Sequence, residues 1–122
     1  MEIMEIKTIQ IDSDTFLVFK GTTYIQINVK DIVSLETFDK YVSIWTQYGK
    51  KFTICCSLTD ITKKLCLEYV VVTKGFLVNK KYILELTKKV NDKSVYILVF
   101  NDVFFTNREI SDYTAKRILE QL

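Results

Sequence analysis

Short runs rich in Val, Ile, Thr, Tyr and Phe, parted by turns of two or three residues, recur along almost the whole chain. This repeat constrains the fold more than any other feature. β-Branched and aromatic side chains fit a half-buried pleated surface, and frequent turns argue for many short strands rather than a few long elements. The turns read as Asp12-Ser13-Asp14, Lys20-Gly21-Thr22, Lys30-Asp31, Gly49-Lys50-Lys51, Asn91-Asp92 and Asn101-Asp102. Gly21 is expected to supply the positive φ of a hairpin. Strands are then expected over residues 15–19, 23–29, 32–37, 41–48, 52–56, 69–72, 76–78, 83–88, 94–100 and 103–105, after a loosely alternating stretch at 1–11. The class is mainly β, with about nine or ten short strands.

Elsewhere the pattern changes period. Ser57-Leu58-Thr59-Asp60 reads as a capped helix start, and Leu58, Ile61 and Leu65 share one helical face, which predicts a short helix over 58–65. Thr106-Asn107-Arg108-Glu109 reads as a second capping box. Ile110, Tyr113 or Thr114, Ile118 and Leu122 follow at helical spacing, which predicts a C-terminal helix. Residues 79–82 suit a single helical turn.

The 122 residues suit one domain, and with 48% apolar residues its core needs neither metal nor disulfide. The chain has no His and no Pro, and its glycines are Gly21, Gly49 and Gly75. Without His there is no Ser–His or Cys–His nucleophile pair, no His metal site and no ordinary proton shuttle near neutrality. Missing Pro and scarce Gly argue against a disordered or linker-rich chain. Cys55, Cys56 and Cys66 are odd in number, fit no zinc spacing and follow no signal peptide. They read as small thiols in a reducing, cytoplasmic setting. Val70-Val71-Val72 and Ile97-Leu98-Val99-Phe100 are strand-length, too short to span a bilayer.

Catalytic chemistry finds no foothold. Glu36, Asp39, Asp60 and Asp102 are scattered, and no phosphate-binding or nucleophile motif is present. The expectation is no enzyme, no cofactor and no metal. Recognition is better served. The net charge of +2 is mild, but Lys74, Lys80, Lys81, Lys88, Lys89 and Lys93 stand against Glu85 and Asp92, and Lys50-Lys51 and Lys63-Lys64 form further pairs. Lysines usually coat solvent, so a plain solvated face stays open. Three loops combine basic and polar groups: Lys40 and Tyr41; Thr73, Lys74 and Gly75; Asn107 and Arg108. Arg pairs bidentately with guanine in the major groove, Lys reaches guanine or phosphate, and helix N-termini favour phosphate. Arg108 also reads as a solvated first-turn residue, Asn79 as a residue bonding nearby main chain, and Trp45 as a core or cross-strand aromatic.

From about Phe16 to Leu122 the chain resembles the LytTR family of bacterial DNA-binding domains, the output domains of many response regulators. Asn28-Val29-Lys30-Asp31-Ile32-Val33-Ser34-Leu35-Glu36 is similar to the family's "DI-x-x-(I/F)-E" segment, Tyr41-Val42-Ser43-Ile44 to its "Y-v-x-i" strand, and Ser57-Leu58-Thr59-Asp60-Ile61 to "S-L-x-x-L". Phe76-Leu77-Val78-Asn79-Lys80-Lys81-Tyr82-Ile83 is similar to "s-x-i-V-N-x-x-x-I", and Phe105-Thr106-Asn107-Arg108 to the terminal "v-S-R". The resemblance implies an elongated body of short sheets and small helices that inserts loops into successive major grooves of double-stranded promoter DNA. It places contacts at Asp39 to Tyr41, at Thr73 to Gly75 and at Asn107-Arg108, and makes Asn79 structural rather than a reader. Lys80 and Lys81 would add phosphate contacts. It also implies a transcription regulator of a two-component system, two copies on direct repeats, a homodimer on DNA and no membrane insertion.

Two departures are visible. The family often carries "R-x-H-r/k-s" before its V-N motif, where this chain reads Val71-Val72-Thr73-Lys74-Gly75. Lys74 in that place predicts a shift toward phosphate contact. The late "v-S-R" becomes Thr106-Asn107-Arg108, with the Arg kept. Residues 1–15 are a strand-like extension, too short for a receiver domain, so a stand-alone regulator or a piece of a longer one is expected. The alternative from another class is a β-barrel resembling pleckstrin-homology or phosphotyrosine-binding modules, which bind phosphoinositide or peptide. It would gather its basic residues from one early hairpin, whereas DNA binding would spread Lys40, Lys74 and Arg108 along one edge.

Overall fold

The alternating runs form strands in the computed structural model, which describes residues 3–12, 14–20, 22–64 and 68–122. The expectations for Gly21, Leu65 and Cys66 lie outside the described residues. The elements are β1 (Ile3–Asp12), β2 (Thr15–Lys20), β3 (Thr23–Asn28), β4 (Ile32–Phe38), β5 (Tyr41–Thr46), β6 (Lys50–Ile54), α1 (Leu58–Lys64), β7 (Tyr69–Thr73), β8 (Phe76–Asn79), β9 (Ile83–Lys89), β10 (Asp92–Phe100), β11 (Arg108–Ser111) and α2 (Asp112–Gln121). The fold is mainly β, as expected. β1 to β8 pair in the order β3-β2-β1-β6-β5-β4-β8-β7, and β9 to β11 form a second sheet in the order β11-β10-β9. All pairs are antiparallel except β1 with β6. The large sheet is open, with β3 and β7 at its edges, so it is not the barrel that the pleckstrin-like alternative required.

The period of two along a strand decides where the cores sit. On β8, Leu77 points into a cluster with Leu35, Val42, Ile44, Ile54 and Ile61, while Phe76 and Val78 point to the opposite face with Val33, Val70 and Leu98. A register shift between Ile32 and Ser34 sends Val33 to the second core although Ile32 and Leu35 face the first. α1 covers the first core through fully buried Ile61, and its start is capped where Ser57 Oγ accepts from Asp60 N at 3.1 Å. α2 and the three-stranded sheet cover the second core through buried Ala115, Ile118, Leu98 and Phe100. The Gln121 carboxamide bonds Val71 on edge strand β7, accepting from its N–H at 2.8 Å and donating to its carbonyl at 3.0 Å.

Two turns share one device. Asn28 Oδ1 accepts from Lys30 N at 3.0 Å and starts a 3₁₀ turn over Val29–Asp31; Asn79 Oδ1 accepts from Lys81 N at 3.1 Å and starts another over Lys80–Tyr82. Asn79 is also buried and donates from Nδ2 to the Ile32 carbonyl at 2.8 Å. Its expected role in holding main chain is what the structure shows. Trp45 is half-buried; its cross-strand neighbour Lys51 sets its Nζ 5.3 Å from the ring centre, and Phe105, from a loop, meets it edge-on at 5.9 Å.

The chain departs from expectation after Phe100. Residues 103–105 form no strand; they lie in a loop folded on Asp102, whose Oδ1 accepts from Phe104 N at 2.9 Å. The partner of β10 is β11, with Leu98 opposite Arg108 and Val95 opposite Ser111. Arg108 therefore opens a strand, not a helix. Among the described residues Thr106 caps no helix, and the cap of α2 is Ser111, whose Oγ accepts from Thr114 N at 3.1 Å. The ladder wins because it pairs main-chain groups that a first helical turn would leave open.

Asn79→Ala removes two hydrogen bonds, one of them to the carbonyl of fully buried Ile32. It should lower stability by about 2 kcal/mol, seen as a lower urea midpoint at unchanged slope. Tyr82 donates to the Lys30 carbonyl at 3.2 Å, and burial, then the nearby Asp31 and Asp102 carboxylates, push its phenol above the ordinary value. The unfolded chain therefore loses this proton first as pH rises past about 10, so stability is full below that pH and falls above it. Tyr82→Phe should make the alkaline fall shallower in pH-dependent urea melts.

Candidate nucleic-acid interface

Antiparallel pairing fixes which turns share an end of the sheet. Glu36 lies opposite Phe76 across β4 and β8, and Phe38 lies opposite Tyr41 across β4 and β5. The Asp39-Lys40 turn and the Lys74-Gly75 turn therefore leave the sheet side by side. Asp39 takes the left-handed conformation at φ 57°, which a short polar side chain tolerates. The two turns are tied together: Thr37 N donates to the Gly75 carbonyl at 2.8 Å and Thr37 Oγ1 donates to the same oxygen at 3.3 Å. A Cβ on Gly75 would collide with Thr37 Oγ1, so glycine here serves close approach.

Arg108 comes to the same end from the second sheet. Its Nη2 donates to both oxygens of Glu36, at 3.0 and 3.2 Å. Its guanidinium carbon stands 4.0 Å from the centroid of the Phe76 ring. Glu36 and Phe76 are cross-strand partners, so the ion pair and the ring contact form one seat. The Arg108 and Glu36 side chains are 43% and 35% exposed, and a pair so open to solvent contributes about 1 kcal/mol or less to stability. Beside it a cleft of about 190 Å³ is lined by Ser34, Trp45, Phe76, Phe100 and Phe105.

Lys40, Tyr41, Thr73, Lys74, Gly75 and Arg108 thus gather at one end of the sheet, with exposed Asn107 next to Arg108 in the chain. Lys40 is exposed with its Nζ 5.8 Å from the Tyr41 ring centre, and Lys74 is exposed. On the other side of these turns, Thr37, Asp39, Lys74, Gly75, Thr59 and Thr62 border a shallow depression of about 610 Å³ beneath α1. Lys80 and Lys81 are not part of this group. They follow Asn79 at the far end of β8, roughly 13 Å along the strand from Gly75. Lys89 is held elsewhere by Glu109 at 2.6 Å, whose hydrogen bond and charge raise its ammonium pKa. Glu36, Thr37 and Phe76 were not legible as site residues. Glu36 closes the Asp31–Glu36 segment, but its partnership with Arg108 spans 72 residues.

Among the described residues no cluster of three or more His, Cys, Asp or Glu is placed to hold a metal ion. No helix among them is long and apolar enough to cross a membrane. Fold and geometry define a mainly β domain in which the strand-end turns bearing Lys40, Lys74 and Arg108 lie at one end of the sheet. The chain belongs to the LytTr DNA-binding domain family, whose model matches residues 22–122. It is similar in fold to a LytTr DNA-binding domain of a putative methyl-accepting/DNA response regulator from Bacillus cereus, with a TM-score of 0.66 at 16% identity. That match covers 90% of this chain and 97% of the other. No curated protein matches the chain in sequence. The family is a DNA-binding one, not an enzymatic one.

Gly75→Ala should destabilise the chain by about 1–3 kcal/mol through the collision with Thr37. Thr37→Ala added to it should recover part of that loss, measured by urea unfolding of the single and double variants.

Proposed function

We propose that the chain is a sequence-specific binder of double-stranded promoter DNA in a bacterial transcription regulator, acting inside the cell. Its strand-end turns enter successive major grooves. The observation that carries this reading is the gathering of the Lys40, Lys74 and Arg108 turns at one sheet end within a family of DNA-binding domains. Arg108 takes the base-reading role, since a fork of donors suits guanine O6 and N7. Lys74 and Lys40 take phosphates, and Lys80 and Lys81 reach the backbone farther along the duplex. Two copies bind direct repeats and meet as a homodimer on DNA.

Arg108→Ala should weaken binding to the preferred duplex by roughly 1–3 kcal/mol and relax preference at one base pair. Lys74→Ala should weaken all duplexes alike and lower the salt slope by about 1. Fluorescence anisotropy across a salt series reads both. Wild-type binding that ignores both Arg108→Ala and added salt overturns the proposal.

A further inference from the structure

We infer that Glu36 is a positioning residue that sets base specificity by seating Arg108; the inference rests on the DNA-binding reading above. Arg108 is held at three points. Its main chain is fixed in β11 opposite Leu98, which is fully buried. Its guanidinium face lies on Phe76 at 4.0 Å. Its Nη2 is bound by both oxygens of Glu36. Ring and carboxylate come from adjacent strands at one rung of the ladder, so their spacing is set by the sheet rather than by flexible side chains. Among the described residues no hydrogen bond engages Nη1 or Nε of Arg108. The seat therefore fixes the plane and roll of the guanidinium and leaves those donors to a ligand.

A long side chain fixed in this way gives up little rotamer freedom on binding, and its donors meet one base edge better than another. A loose arginine would still attract phosphate but would discriminate less. Glu36 also puts a negative charge beside the DNA backbone, which opposes non-specific binding. Both effects act in the same direction: Glu36 raises the ratio of specific to non-specific affinity. A carboxylate is needed for this, because a neutral amide of the same size holds a guanidinium less firmly and repels no phosphate.

The test is selection from a randomised duplex library, read by sequencing, for wild type, Glu36→Gln, Arg108→Ala and the double variant, with random-sequence duplex as the baseline. Glu36→Gln should lose about tenfold discrimination at the same base pair that Arg108→Ala affects, while baseline binding holds or rises. The double variant should discriminate no worse than Arg108→Ala alone. A stability role for Glu36 predicts instead a general loss of binding that tracks the melting temperature. If Glu36→Gln retains full discrimination, or loses it at base pairs untouched by Arg108→Ala, the inference is wrong while the DNA-binding reading stands. If the wild type selects no sequence at all, sequence-specific DNA binding fails and the inference fails with it. A second readout keeps the question decidable should Glu36→Gln bind poorly. In free protein, the Nη2–H resonances of Arg108, whose protons Glu36 accepts, should be resolved in the wild type and broadened in Glu36→Gln; unchanged lines overturn the seat.

Discussion

The pairing of β4 with β8 is the constraint on which the molecule depends. β8 and the Ile32–Leu35 half of β4 are buried on both faces, so each residue of Phe76-Leu77-Val78 belongs to one core or the other. A slip of one residue would exchange Leu77 with its neighbours and put each into the wrong core. The same register sets Glu36 against Phe76 and Thr37 beside Gly75. The geometry of the basic turns is thus a by-product of hydrophobic registration. Surface positions a few ångströms from solvent inherit the precision of the core.

The two asparagine turns show how the ends of this central pair are fixed. Asn28 and Asn79 each start a 3₁₀ turn that delivers the chain to a strand beginning with isoleucine, β4 and β9 respectively. Asn79 goes further, because its Nδ2 reaches back to Ile32 at the start of β4. One side chain therefore joins the end of β8, the start of β4 and the turn into the second sheet. Tyr82 adds a bond to Lys30 in the other turn. The far end of the β4–β8 pair is locked by these polar contacts, while the near end is held by Thr37 and Gly75 and carries the basic turns.

Much of this was legible in the sequence, and what was not has a physical reason. Alternation located most strands, because one buried face imposes period two wherever a strand is long enough to show it. The Ser57 cap and the 3₁₀ turn after Asn79 were legible because capping is local chemistry. Residues 106–111 were misread for the same reason: Thr106–Glu109 and Ser111–Thr114 both offer capping chemistry, and the choice between them is made by β10, which no local pattern reveals. The gathering of Lys40 and Lys74 needed only strand directions. The bonding of Arg108 by Glu36 needed the packing of two sheets, which sequence spacing does not encode.

Charge follows the same division between local and long-range. A net charge of +2 gives no strong overall field, so attraction to a polyanion must come from where the cations lie. Away from the gathered turns, Lys89 is paired with Glu109 and Lys116 with Asp112. At the gathered end, Lys40 and Lys74 have no ion pair among the described residues, and Arg108 meets an acid that occupies one of its nitrogens. Lys50, Lys51, Lys80 and Lys81 also lack an ion pair among the described residues, so the strip where the strand ends project is set apart by its seated arginine rather than by open charge alone. Partial neutralisation of Arg108 sets it apart within the strip: under the proposed DNA-binding role, two lysines would supply attraction that any duplex satisfies, and one restrained arginine would be left to distinguish between duplexes.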